Sequence, residues 1–160
     1  MEYKIVETPT QHFLAITKRF EERAQVPDFW DECSESGRIG ELLLRRPSGI
    51  RDLYGLCRPI TETQFEYGVA IVLDVATNWM AQAEMQARGL VQWDVPAGTY
   101  LVVDCTGDDE TAVATAWKWF YEEFLPDAEY VESKRTDLEV YLDTEKDGIF
   151  CRLWIPVEKK

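Results

Sequence analysis

Val6-Glu-Thr-Pro-Thr-Gln-His-Phe-Leu-Ala-Ile16 and Trp93-Asp-Val-Pro-Ala-Gly-Thr-Tyr-Leu-Val-Val103 read as two copies of one segment. Glu7 falls over Asp94, Pro9 over Pro96, Phe13 over Tyr100, Leu14 over Leu101 and Ile16 over Val103. Each copy predicts a strand, a Pro-containing turn and a second strand, that is, a hairpin. Proline presets φ in the turn and glycine permits positive φ. In the second strand His12, Leu14 and Ile16 alternate with Phe13, Ala15 and Thr17, the period-two signature of a sheet.

Working outward, each copy leads into a helix. In the second half Asp108 is the expected N-cap, and Val113, Ala116, Trp117, Phe120 and Phe124 recur at helical spacing before Pro126. In the first half Pro27 suits a first helical turn, and Phe29, Trp30 and Cys33 form the apolar stripe. Ser36-Gly37 breaks that helix, and Ile39 to Leu44 adds a further turn or two before Pro47-Ser48-Gly49. Two strands then close each half: Ile50 to Cys57 with Phe65 to Val75, and Asp137 to Leu142 with Gly148 to Val157. Gly68 to Val75 sits over Phe150 to Val157. The connectors, 58–64 and 143–147, are polar and turn-like. Ala76 to Leu90, with Trp79, Met80, Ala83 and Ala87, is the bridge between halves and reads as a short helix ending at Gly89.

The order is strand-strand-helix-strand-strand, twice. The fold class is therefore α/β (α+β), with pseudo-two-fold symmetry and antiparallel sheets. Helices are expected on one sheet face and a shared groove on the other, at the seam between halves. The 160 residues are expected to form a single domain, with repeats at approximately 2–75 and 91–158.

Composition narrows the function. Hydrophobic residues make up 46%, enough for a packed core. The formal net charge of −13 argues against binding nucleic acid or an anionic membrane surface, both of which call for clustered Lys and Arg. No apolar run is long enough to span a bilayer, and the first residues carry no secretory pattern. Cys33, Cys57, Cys105 and Cys151 are widely spaced and read as reduced, mostly buried thiols of a cytoplasmic protein. His12 is the sole histidine, so no His-based metal centre or Ser-His-Asp site is expected, and no cofactor.

Alternation in the penultimate strand sends Leu138, Val140 and Leu142 one way and Glu139, Tyr141 and Asp143 the other. The branched apolar side is expected against the helices, and Glu139 with Tyr141 in the groove. In the last strand, Ile149, Cys151, Leu153 and Ile155 are expected on the helix side, with Phe150, Arg152 and Trp154 toward the groove. Tyr54, beside Gly55 in the repeat-equivalent strand, is expected to face Glu139 across it. From the residues alone, Glu139 is either a solvated or Arg152-paired surface acid or the anion of an aromatic cleft.

A family resemblance bears on that choice. Val95-Pro-Ala-Gly-Thr-Tyr100, Gly107 and the helix after it, Leu138-Glu-Val-Tyr141 and Leu153-Trp-Ile-Pro-Val157 resemble the GyrI-like small-molecule-binding domain of the SOUL/GyrI superfamily. Val26-Pro-Asp-Phe-Trp30 and Tyr54-Gly-Leu56 resemble it in the first half. That domain is the effector-binding part of multidrug-sensing AraC- and MerR-type bacterial transcription regulators. The resemblance implies a central cleft for flat, lipophilic, often cationic compounds, with Glu139 as the cleft acid. It also implies Tyr141, Trp154, Trp117 and Phe120 as lining residues. The DNA-binding module of those regulators has no counterpart in the sequence, so a stand-alone sensor or sequestering protein, monomeric or homodimeric, is expected. One alternative is hydrolysis of strained electrophilic toxins by Glu139 with Tyr141 or Tyr54, and another is a protein-binding inhibitor of the gyrase-inhibitor type. Binding is placed ahead of both.

Overall fold

The computed structural model describes residues 1–47, 52–74, 82–142 and 148–160. In chain order its elements are β1 (Tyr3–Thr8), β2 (Gln11–Phe20), α1 (Val26–Glu35), α2 (Arg38–Leu43), β3 (Leu53–Pro59), β4 (Phe65–Val72), α3 (Gln82–Ala87), β5 (Val91–Val95), β6 (Gly98–Thr106), α4 (Thr111–Trp119), β7 (Tyr130–Glu132), β8 (Asp137–Tyr141) and β9 (Ile149–Lys159). The expected turn at Ser48-Gly49, the Trp79-Met80 part of the bridge and the 143–147 connector lie outside the described residues. Glycine closes two helical segments: Gly37, at φ 80°, separates α1 from α2, and Gly89, at φ 67°, follows α3. The α4 N-terminus is held by Asp109, one residue beyond the expected Asp108; its carboxylate accepts from the Thr111 amide at 3.0 Å. Beyond α4 the chain continues through a π turn (Phe120–Phe124) and a 3-10 turn (Leu125–Asp127).

The nine strands form one antiparallel sheet in the order β1-β6-β9-β8-β3-β4-β2-β5, with the short β7 added on β9. The expected hairpins are absent. β1 pairs with β6, and β5 pairs with β2, so each half lends its first strand to the other. Thr8 lies opposite Gly98 and Gln11 opposite Val95, so a single antiparallel register runs through both ladders and past the two proline segments. The prolines cannot donate to a ladder, and they mark an interruption in a long crossed pair, not a reversal of direction. The two halves meet at the centre, where β3 pairs with β8. Val69 lies opposite Ile16 and Gly55, while Leu153 lies opposite Val103 and Glu139. Val69 and Leu153 are therefore the equivalent residues, two positions away from the sequence alignment. A two-residue slip preserves facing, which hides it from a pattern of period two.

Three cores result. Leu14, Ile16, Val69 and Ile71 pack beneath α1, α2 and α3 with Phe29, Leu42 and Met85. Leu101, Val103, Leu153 and Ile155 pack beneath α4 with Val113, Ala116 and Phe120. On the opposite sheet face Phe13, Leu56, Trp93, Val95, Tyr100, Val102, Leu138 and Val140 form a third core drawn from both halves. This overturns the expected placing of the groove. The exchanged strands β1 and β5 supply Val6, Trp93 and Val95 to that face, which the protein's own side chains fill. The open space lies on the helix side, between α1 and α4. All four cysteines are buried, and none forms a disulfide.

Candidate functional site

β8 is buried along most of its length. Its register against β9 decides its facing: Glu139 lies opposite Leu153, on the helix side, and Leu138 lies opposite Trp154, on the other. Asp137, Glu139 and Tyr141 thus share the helix side and line a cleft of about 1250 Å³. The 3-10 turn Arg23–Gln25 and α1 contribute Arg23, Val26, Pro27 and Trp30 to it. α4 and the turn after it contribute Val113, Trp117 and Tyr121, and β9 contributes Phe150.

Glu139 is 5% exposed. Its Oε1 accepts hydrogen bonds from the Tyr67 hydroxyl at 2.5 Å and the Tyr141 hydroxyl at 3.0 Å. Trp30 Nε1 donates to the Tyr67 oxygen at 2.9 Å, which fixes the phenol's direction. Burial pushes both phenols well above their ordinary pKa, and the Glu139 charge adds to the rise, so both remain donors. Gly55 makes this possible. A Cβ there would collide with the Tyr67 hydroxyl and stand 2.7 Å from Glu139 Oε1.

Arg23 Nη1 stands 3.8 Å from Glu139 Oε2, and Nη2 stands 3.8 Å from Asp137 Oδ2. Burial opposes the guanidinium charge, but Asp137 and Glu139 help outweigh it and Arg23 stays cationic. Burial likewise raises the Asp137 carboxyl to about 7; Arg23 lowers it, and Glu139 and Glu132 push it up. The alternative of a Glu139–Arg152 pair does not form: Arg152 lies opposite Val140, on the other face, and binds Asp104 at 2.8 Å.

Aromatic rings build the walls. Trp30 meets Tyr141 edge-on at 5.1 Å between centroids, and Tyr141 meets Phe150 at 5.6 Å. Trp117 stacks on Tyr121 at 5.7 Å, and its buried Nε1 has no partner among the described residues. The Tyr121 hydroxyl donates to Glu132 at 2.8 Å.

Of the residues singled out by sequence, Glu139, Tyr141 and Trp117 come together here. Three do not. Tyr54 and Trp154 belong to the third core, where they touch Phe13 and Tyr100 respectively. The helix side of β8 carries Glu139, not Leu138 and Val140, and Tyr54 and Trp154, opposite Val140 and Leu138, turn away from the cleft with them. Phe120 is fully buried under α4, in the core and out of the cleft. Sequence reading missed Tyr67, Arg23 and Asp137, and left Trp30 unassigned. Asp137 was within reach, since it precedes Glu139 and Tyr141 at the same alternation. Tyr67 was hidden because only the β3–β4 and β3–β8 registers bring it to Glu139. Among the described residues no group of three or more His, Cys, Asp or Glu side chains is placed to hold a metal ion, and no helix is long and apolar enough to cross a membrane.

Comparison with known proteins agrees with this architecture. The protein SAV2435 bound to tetraphenylphosphonium superposes with a TM-score of 0.80 at 19% identity, covering 99% of this chain and 94% of that one. An integron cassette protein from Vibrio cholerae gives 0.65 at 16% identity, covering 98% and 95%. A hydrolase from Listeria innocua gives 0.55 at 11% identity, covering 98% and 92%. These likenesses establish the fold. No curated protein matches the chain in sequence. The profile of integron-associated effector-binding proteins matches residues 4–157. The chain belongs to that family, a group of small-molecule-binding proteins with the GyrI-like fold.

Proposed function

We propose that the chain binds flat, hydrophobic cations in the cleft between α1 and α4, with Glu139 as the anion that complements their charge. The observation that carries this reading is a carboxylate 5% exposed on the wall of an aromatic-lined cleft. A buried carboxylate is costly without a counter-charge, and Arg23, at 3.8 Å, divides its single charge between Glu139 and Asp137. A ligand cation adds the missing charge. Rings such as Trp30, Tyr141 and Trp117 add cation–π attraction of about 0.5–2 kcal/mol each and stack on planar groups. Selection by charge and flatness makes such a site tolerant of many scaffolds.

The test is tryptophan fluorescence quenching against cationic, neutral and anionic aromatics of matched shape. Glu139→Gln is expected to weaken the cations by about 10- to 100-fold, the worth of one charged contact, and to leave neutral analogues within a few-fold. Equal loss for both classes sinks the reading.

A second reading keeps the cleft and adds hydrolysis. Its support is the convergence of two phenols, Tyr67 and Tyr141, on one carboxylate oxygen, a geometry able to orient Glu139 as a base toward water and to offer a donor to an oxyanion. Multiple turnovers of a strained ester or lactone, lost in Glu139→Gln, distinguish it from binding alone.

A further inference from the structure

Asp137 and Glu139 enter the cleft two residues apart on one strand, yet they are satisfied very differently. Glu139 Oε1 receives two hydroxyl donors. Asp137 is 8% exposed, lines the same cleft, and its buried Oδ1 has no hydrogen-bond partner among the described residues. The guanidinium of Arg23 reaches both acids, one terminal nitrogen to each, at 3.8 Å. That distance neutralises charge but is too long for a hydrogen bond. Arg23 also lies over the Phe65 ring at 5.4 Å, and its side chain is 48% exposed, so solvent is open to it when it is displaced.

The two carboxylates are thus spanned by the nitrogens of one planar cation that satisfies neither of them. An N–C–N fork brought closer would donate to Asp137 Oδ2, the oxygen that Arg23 faces without bonding, and would present its remaining N–H to Glu139. A fully substituted onium ion carries the same charge and offers no donor.

We propose that Asp137 is a second anchor of the cleft, one that reads hydrogen-bond donors. The preferred occupants are then planar aromatic amidinium or guanidinium compounds, which take the place of the Arg23 fork, over donor-free onium ions. This inference rests on the reading of the cleft as a cation site.

The experiment compares 2-naphthamidine with N,N,N-trimethyl-2-naphthylammonium, which share ring and charge and differ in N–H groups. Tryptophan quenching is read for the wild type, Asp137→Asn, Arg23→Gln and Glu139→Gln. The wild type is expected to favour the amidine by about tenfold, the scale of one charge-assisted hydrogen bond. Asp137→Asn is expected to cut that ratio to about threefold or less, since a neutral amide oxygen is the weaker acceptor. Arg23→Gln leaves Asp137 in place and removes the resident competitor, so amidine affinity is expected to rise several-fold. This variant keeps the proposal testable if Asp137→Asn fails to fold. Equal affinity of the two probes in the wild type, a ratio untouched by Asp137→Asn, or weaker amidine binding in Arg23→Gln overturns the inference. If the onium binds tightly, is lost in Glu139→Gln and is not disfavoured against the amidine, this inference alone falls. If neither probe binds, the cation reading falls with it.

Discussion

Gly55 and Glu139 lie opposite each other in the β3–β8 ladder, and they are also equivalent positions of the two halves, so the pseudo-two-fold axis passes between them. Two side chains of the same kind, both on the helix side, would compete for one space on that axis. The chain resolves this by asymmetry: one copy carries the acid, and the other carries no side chain. The room above Gly55 is taken by the Tyr67 hydroxyl.

Gly55→Ala is therefore expected to drive the Tyr67 hydroxyl off Glu139 and to destabilise the fold by roughly 2 kcal/mol or more, the cost of overpacking plus a lost hydrogen bond to a buried charge. Urea denaturation measures it. In a Tyr67→Phe background the same substitution should cost less, because the first colliding atom is gone. Full additivity of the two changes would show that the collision does not matter.

Tyr67→Phe alone removes one of two donors to a carboxylate oxygen and orphans the Trp30 Nε1 hydrogen. An expected loss of about 1–3 kcal/mol follows from unsatisfied buried groups, with the urea m-value unchanged because the buried surface hardly alters. No change in midpoint would mean that water replaces the phenol without penalty.

The pH dependence of stability has a definite sign. Asp137 titrates at about 7 in the folded chain, against about 3.9 when unfolded. Between those values the folded protein holds a proton that the unfolded chain has released. Its contribution is full below about pH 4 and falls as pH rises toward 7, with a slope of at most about 1.4 kcal/mol per pH unit. The charged groups facing Asp137 are Arg23, Glu139 and Glu132. Arg23 stays charged throughout, and it limits the effect. Denaturation midpoints from pH 5 to pH 8 should lose this slope in Asp137→Asn. A fixed cation bound at pH 6.5 should also expel protons from Asp137, read as a calorimetric heat that depends on buffer ionisation enthalpy.

The two sheet faces make a further contrast. Trp154→Phe alters the third core and should lower stability by about 1–2 kcal/mol while leaving cation affinity within twofold. Trp117→Leu removes a cleft wall and should weaken cations several-fold. Reversed outcomes would return the site to the face first expected from sequence.

How far the sequence could be read depended on which interactions were local. Strand alternation, the Pro27 start of α1, the α4 stripe and the duplication rest on spacing within a few residues, and they were legible. Glu139 and Tyr141 followed from strand parity together with the family resemblance. The sense of that parity was not legible. Leu138 and Val140 looked like the side that meets helices because they are apolar, but here both sheet faces are buried, and an apolar face has two places to go. The pairing of Tyr67 with Glu139 spans 72 positions of sequence and depends on a glycine in a third strand. Arg23 carries no local pattern that ties it to the acids, and only the turn ahead of α1 swings it over them.

The exchange of β1 and β5 sets a condition on separability. A fragment ending before β5 would leave the outer rim of β2 with bare backbone amides and carbonyls, and its own leading strand would have no β6 to join. Another molecule of the same fragment carries the complementary rim in the complementary sense. Severed from its sister, either lobe is thus built to recruit a twin, and the present chain holds within one polypeptide an embrace that would otherwise take two.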